Sequence, residues 1–488
     1  MRVTKNFILL ILLGVVSTSV NAGCSNIKLS APYKPTGIEV NKSFLELKIG
    51  EAVQLNATVI PAVATTPALE WVSSNESIAV VANGVVKATG IGSATIRVAY
   101  KGFEKLIEIN VLSAPVEKEH ALLYDRYPNG NEFAGDFNTV NAAQFTPEGL
   151  KINMTGDVVR LNKFYAVAER KVQYIVRFSE DAKAIFRSSE KDFNATVDLP
   201  GKLISIGTSP ATQASVQFLR SDRDYLIEVY HVYQLAKVRI VDVLTGEAAE
   251  VVAVHDGQGG VGKGVVQNGF SVGMQWDHYC FGLTSGSSML VKRVTVYALK
   301  KEVKLLLYGD SITQPEGYFP TKDFSMAWTQ QIIKKLNGNA MSSGRGGATI
   351  DMVLEYINNE LPFIKARYVM VTIGTNGGNT EEKLMQLVDY IRSQGAIPIL
   401  NNIPANESGT QVTENLLIEK VRMKTGLKGC RFDLATSIGG NGKEVDKSTM
   451  YWEDYTGSYG WQIYHHPNEI GGARMFAQTL FDVPEIYQ

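Results

Sequence analysis

The chain has 488 residues, too many for one ordinary domain, so about three folding units are expected. Its formal net charge of −1 gives no sign of a nucleic-acid or anionic-membrane binding surface. With 3 cysteines, Cys24, Cys280 and Cys430, no disulfide framework is indicated, and the last two read as isolated buried thiols in different units rather than a bridge.

Met1 to Val20 carries Arg2 and Lys5 ahead of an apolar core from Phe7 to Val16. This is the pattern of a secretory signal, too short to span a bilayer. Val20-Asn21-Ala22 suits ordinary signal peptidase, which would release a soluble protein. Ala22-Gly23-Cys24 resembles a lipoprotein box, in which Cys24 is acylated. Residues 1–23 are therefore read as a lipoprotein-type signal peptide. The mature chain is expected in the cell envelope, periplasmic or at the surface, touching a membrane only through its lipid anchor.

From 35 to 113 short alternating stretches such as Ile38-Glu39-Val40 and Thr95-Ile96-Arg97-Val98 are broken by turns such as Ala82-Asn83-Gly84, predicting a β-sandwich with Trp71 toward its core. The run from Leu69 to Ser74, with Ile78-Ala79-Val80 and Gly84 to Ala88, resembles the bacterial Ig-like domains of the second group. That resemblance implies a spacer or an adhesive unit, and with no catalytic cluster in it the spacer is the preferred reading.

Residues 116–300 also read as strands, among them Tyr174 to Phe178, Tyr225 to Tyr230, Lys237 to Val243 and Val291 to Tyr297. One large β-sandwich is expected, and it faintly resembles a concanavalin A-like jelly roll that could bind glycan. Gly257 to Gly264 mimics a phosphate loop but leads into Val265-Val266-Gln267-Asn268-Gly269, not a helix, so a hairpin loop is the better reading. Tyr230, His231, Tyr233, Trp276, His278 and Tyr279 could form a sugar-stacking face, although aromatic residues in such domains more often fill the core.

Chemistry concentrates in 303–488. An apolar run from Val303 to Tyr308 ends in Gly309-Asp310-Ser311-Ile312-Thr313, which sets a serine at the carboxyl end of a buried parallel strand. Serine needs a base and an oxyanion hole. The glycine cluster Ser342 to Thr349 can bring backbone N–H groups close to a substrate, and Gly374-Thr375-Asn376 offers an amide at another strand end. His465-His466-Pro467-Asn468 supplies an imidazole before a final helical stretch, Ile470 to Phe481. Helices are predicted over Ser325 to Asn337 and Glu381 to Gln394, and a strand over Ala396 to Ile403, where Pro398 is awkward in a central position. Arg345, inside the glycine loop, could bind an anionic substrate group or stay solvated.

These four blocks together resemble the SGNH, or GDSL-type, hydrolases from Lys304 to the C-terminus. The resemblance implies a three-layer α/β/α fold with a doubly wound parallel sheet, and hydrolysis of acyl esters. Residue by residue it places the nucleophile at Ser311 and the base at His466, and draws the oxyanion hole from Ser311, Gly347 and Asn376. Two positions depart from the family pattern. Gly377 follows Asn376 where an Asp is usual, and Ile463 stands where an Asp normally precedes the His by three residues. The acid could come from Glu453 or Asp454, the Ile463 carbonyl could replace it, or the enzyme could be degenerate. No histidine-carboxylate cluster has ligand spacing, so no metal or cofactor is implied. The resulting expectation is an exported esterase removing acyl groups, acetyl above all, from a polysaccharide or small ester. The alternatives are a non-catalytic glycan-binding or adhesion protein with a decayed hydrolase domain, and a lipase or thioesterase.

Overall fold

The structure is a computed structural model that describes residues 34–48, 51–61, 68–90, 92–112, 119–128, 130–138, 143–156, 158–188, 194–207, 210–254, 278–314, 316, 318–456 and 460–488. The signal segment, Cys24, the Gly257 to Gly264 loop and Trp276 lie outside the described residues. Among the described residues no helix is long and apolar enough to cross a membrane.

In the first unit Phe44–Lys48 runs parallel to Phe103–Leu112, which continues through Gly92–Tyr100 to Glu70–Ser73. A second sheet joins Ala52–Gln54, Val85–Ala88 and Ala79–Ala82. Alternate residues of both, including Leu45, Ile96, Ile107 and Val86, share one buried core, with Trp71 packed against it. The link between the last two strands is Asn83-Gly84, at φ of 49° and 79°, the left-handed pair that a two-residue hairpin requires.

The second unit is a sandwich of an eight-stranded and a seven-stranded sheet, with Glu169–Phe178 and Met289–Ala298 paired at the centre of the first. Leu235–Asp242 buries every second residue, the mark of a strand with one face inward.

Beyond it, four parallel strands lie in the order Ala340–Gly344, Glu302–Gly309, Lys365–Thr372, Ile397–Leu400. The pleat decides what covers each face. Leu305 and Leu307 pack with Trp328, Ile332, Phe432 and Met475, from the helices Trp328–Lys335, Phe432–Thr436 and Glu469–Asp482. Leu306 and Tyr308 face the opposite way, onto Ile350–Glu360, Glu381–Ser393 and Gln411–Thr425. Pro398 is accommodated because its strand is at the edge of this sheet. The helix Glu381–Ser393 starts where Thr380 accepts the Lys383 N–H at 3.2 Å, and Gly395 follows it at φ 79°.

One feature departs from the picture of separate modules. The core of the large sandwich and the helix-covered face holding Tyr308 and Tyr356 form a single hydrophobic cluster. Glu360, fully buried, accepts the backbone N–H groups of Ala166 and Val167 at 2.5 and 2.9 Å and the Ser343 hydroxyl at 2.6 Å. A buried carboxylate tolerates dehydration only when its lone pairs are filled in this way.

Candidate active site

Three loops meet at the carboxyl ends of the central parallel strands. Gly309 closes the first strand, and a Cβ there would lie 2.3 Å from both Thr313 Oγ1 and the Thr372 carbonyl, so no larger residue fits. The chain then turns through Asp310 and Ser311, which are 0% and 5% exposed. Asp310 accepts the Ile312 N–H at 3.0 Å and the Thr375 N–H at 3.2 Å, tying the serine turn to the loop that carries Asn376. Burial lifts its carboxyl up to about 6 against these donors.

The glycine loop is laced to the same turn. Ser342 Oγ donates to the Thr313 carbonyl at 2.8 Å, the Gly346 N–H to Gln314 Oε1 at 2.6 Å, and the Arg345 N–H to the Gly309 carbonyl at 3.0 Å. Gly347 sits at φ 71°, and among the described residues its N–H finds no acceptor. Asn376 spends one amide hydrogen on the Ala348 carbonyl, at 2.9 Å, which keeps its side chain against the glycine loop and leaves the second hydrogen for another acceptor.

His466 arrives on the antiparallel hairpin of Met450–Asp454 and Gln462–Pro467. Its Nδ1–H donates to Glu453 Oε1 at 2.6 Å, while Tyr455 OH donates to Glu453 Oε2 at 3.2 Å. In the hairpin register Glu453 stands opposite Ile463, so the carboxylate reaches the imidazole from the neighbouring strand. Asp454 instead accepts Thr456 N–H and Oγ1, at 2.9 and 2.5 Å. Glu453 and His466 are 0% and 4% exposed, and burial opposes charge on both: it lifts Glu453 to about 8 and lowers His466 to about 3. When Glu453 is ionised, neutral His466 carries its proton on Nδ1 and presents Nε2 as an acceptor, and that nitrogen is buried with no hydrogen-bond partner. His465 packs edge-on against it, with ring centroids 4.5 Å apart.

Sequence reasoning missed Tyr318. Its ring stacks on His466 at 3.8 Å between centroids and 21° between planes, and its hydroxyl hydrogen-bonds the Ser311 side chain. Ser311 and His466 are thus brought to one tyrosine, while Nε2 itself has no bond to Ser311. The loop carrying Tyr318 is held by the large sandwich, because Gln234 Nε2 donates to the carbonyls of Glu316 and Phe319 at 3.1 and 2.7 Å.

Of the aromatic set considered for sugar stacking, Trp276 lies outside the described residues and three of the others are buried. Tyr233 is buried between Glu169, at 3.1 Å, and the Ser342 N–H, at 3.3 Å, and His231 and Tyr279 are buried too. Tyr230 lies under the ammonium groups of Lys171 and Lys237.

Residues 35–107 match the family of bacterial Ig-like domains, group 2. No curated protein matches the chain. Among solved structures the chain is similar to a family two carbohydrate esterase from Cellvibrio japonicus, with 9% identity over 75% of this chain and 98% of that one and a TM-score of 0.26. A GDSL-like lipase from Bacteroides thetaiotaomicron matches at 14% identity over 36% of this chain and 85% of that one, TM-score 0.28. Arcelin-5, a lectin-like defense protein from Phaseolus vulgaris, matches at 8% identity over 36% and 96% of the two chains, TM-score 0.27.

Proposed function

We propose that this chain is an exported serine hydrolase of acyl esters, with an α/β/α catalytic unit of the SGNH type. The observation that carries the reading is the buried Glu453–His466 pair, whose Nδ1–H is taken at 2.6 Å while Nε2 stays unpartnered beside the serine turn. In this reading Ser311 Oγ attacks the ester carbonyl as its proton passes to His466 Nε2, and Glu453 stabilises the imidazolium. The N–H groups of Ser311 and Gly347 and the Asn376 amide hold the oxyanion. The alcohol leaves with the proton from His466, and water activated by the same imidazole then frees the acid. A serine 5% exposed under a tyrosine favours a short acyl group, acetyl before longer chains. A carbohydrate alcohol is the substrate side we favour.

A fluorophosphonate probe tests the nucleophile. It is expected to add one phosphonyl group to the peptide bearing Ser311, together with hydrolysis of p-nitrophenyl acetate faster than of octanoate. An unmodified peptide and no hydrolysis would leave a glycan-binding protein with a decayed site; a preference for octanoate would make it a lipase.

Export and the anchor belong to the same proposal. Cys24→Ser is expected to move the protein from the membrane fraction to the soluble one. An unmutated protein already soluble, with Gly23 at its N-terminus, would remove the lipid anchor.

A further inference from the structure

Base catalysis by a buried imidazole carries a cost that Glu453 alone does not remove. When Ser311 gives up its proton, His466 becomes a cation in a site where burial already lowers it to about 3, so the charge needs stabilising contacts close to the ring. Glu453 supplies one of them, at Nδ1. The ring face is taken by Tyr318. The two rings lie 3.8 Å apart between centroids and 21° from parallel, well inside the roughly 6 Å over which a cation is attracted to an aromatic face.

Tyr318 also reaches the nucleophile. Its hydroxyl hydrogen-bonds the Ser311 side chain, and burial raises its phenol well above the usual tyrosine range, so it keeps its proton at any working pH. One residue therefore touches both partners of the proton transfer. It is also fixed in advance, because Gln234 Nε2 donates to the carbonyls of Glu316 and Phe319, on either side of Tyr318 in the chain. Phe319 meets Tyr451 edge-on, with centroids 5.6 Å apart, and Tyr451 belongs to the strand that carries Glu453. Tyr318, Phe319 and Ala327 form a small buried cluster, with Phe324 and Tyr451 packed against it. A ring held in this way stabilises charge without reorganising when the charge appears, which is the condition for electrostatic catalysis.

We propose that Tyr318 is a catalytic residue: its ring face stabilises the imidazolium on His466, and its hydroxyl holds Ser311 Oγ for the transfer. The inference rests on the esterase reading above and deepens it. As the bond from Ser311 Oγ to the carbonyl carbon forms, the O–H bond breaks and its proton goes to Nε2, which is buried and has no hydrogen-bond partner. The cation is then held by Glu453 and by the Tyr318 face until the proton passes to the leaving alcohol. Water repeats the cycle in deacylation. Tyr318 keeps its own proton throughout.

Fluorine substitution reads the effect while leaving the shape of the ring almost unchanged. Phenylalanine and its mono-, di- and trifluoro analogues, built into the full chain at position 318, keep the stack but drain charge from the ring face that attracts the cation. Tyr318→Phe is expected to cost about tenfold in kcat for p-nitrophenyl acetate, the worth of one hydrogen bond, with KM little changed. From that baseline log kcat should fall stepwise with each fluorine. Tyr318→Leu, which has no aromatic face, should lose about a further thirtyfold. If that variant fails to fold, the fluorine series still decides. A level kcat across the series overturns the charge role, and a phenylalanine variant as fast as the parent overturns the hydroxyl role. A leucine variant faster than the parent would make Tyr318 a lid over Ser311 instead. A parent that neither hydrolyses the acetate nor takes the fluorophosphonate on Ser311 fails the esterase reading, and this inference with it.

Discussion

Glu453→Gln is expected to lower kcat by about four orders of magnitude, the loss seen when the orienting carboxylate of a triad becomes an amide. The glutamine is isosteric and fills the same buried site, but its amide can donate to Nδ1 and drive the proton to Nε2, the wrong nitrogen for a base. Asp454→Asn should change kcat little, since its carboxylate is engaged with Thr456. The pH profile gives a second readout of the same pair. The working form carries one proton, on Nδ1, and uptake of a second ends base catalysis. Because burial lifts Glu453 to about 8, kcat/KM of the parent should fall as pH drops through that region. In Glu453→Gln that group is gone, and His466 is lowered to about 3, so the residual rate should stay flat across the same window. A glutamine variant with parental kcat and an unmoved acid limb would show that the carboxylate is structural only.

How much of this was readable in advance differs from residue to residue, for physical reasons. The apolar run ending at Gly309 and the glycine and asparagine loops could be read because a buried parallel strand must be apolar throughout and must end in a polar turn. The helices Trp328–Lys335 and Glu381–Ser393 declared themselves by apolar spacing and, for the second, by Glu381 and Glu382 in its first turn and Gly395 after it. Glu453 was only one of two neighbouring candidates, because hairpin register decides which carboxylate faces the imidazole, and register depends on pairing rather than on local composition. Tyr318 follows no period at all. Glu360 reaches Ala166 across 194 positions and Gln234 reaches Phe319 across 85, separations that no local pattern encodes. For the same reason the large sandwich read as an independent module, although its backbone and Gln234 buttress both the glycine strand and the Tyr318 loop.

Asn376→Ala is expected to reduce kcat by about a hundred- to a thousandfold, roughly 2.7–4 kcal/mol of transition-state stabilisation, with a smaller effect on KM. Two roles compete for this side chain. Its hydrogen bond to the Ala348 carbonyl is a tether, and losing one part-buried hydrogen bond of that kind costs only about 1 kcal/mol of stability. A donor to the oxyanion acts on charge that exists only in the transition state, so its loss falls on the barrier, not on the fold. The size of the effect therefore decides between them. A small drop in thermal stability with a hundredfold or greater loss of kcat assigns Asn376 to the oxyanion hole. A loss below about tenfold, tracking the stability change, would leave it as a tether and shift the oxyanion onto the N–H groups of Ser311 and Gly347 alone. Labelling of Ser311 by the fluorophosphonate gives a check, because phosphonylation builds a similar oxyanion and should slow in step with kcat. Normal labelling beside a slow kcat would place the defect after acylation, at the hydrolysis of the acyl-enzyme, whose oxyanion the same donor holds.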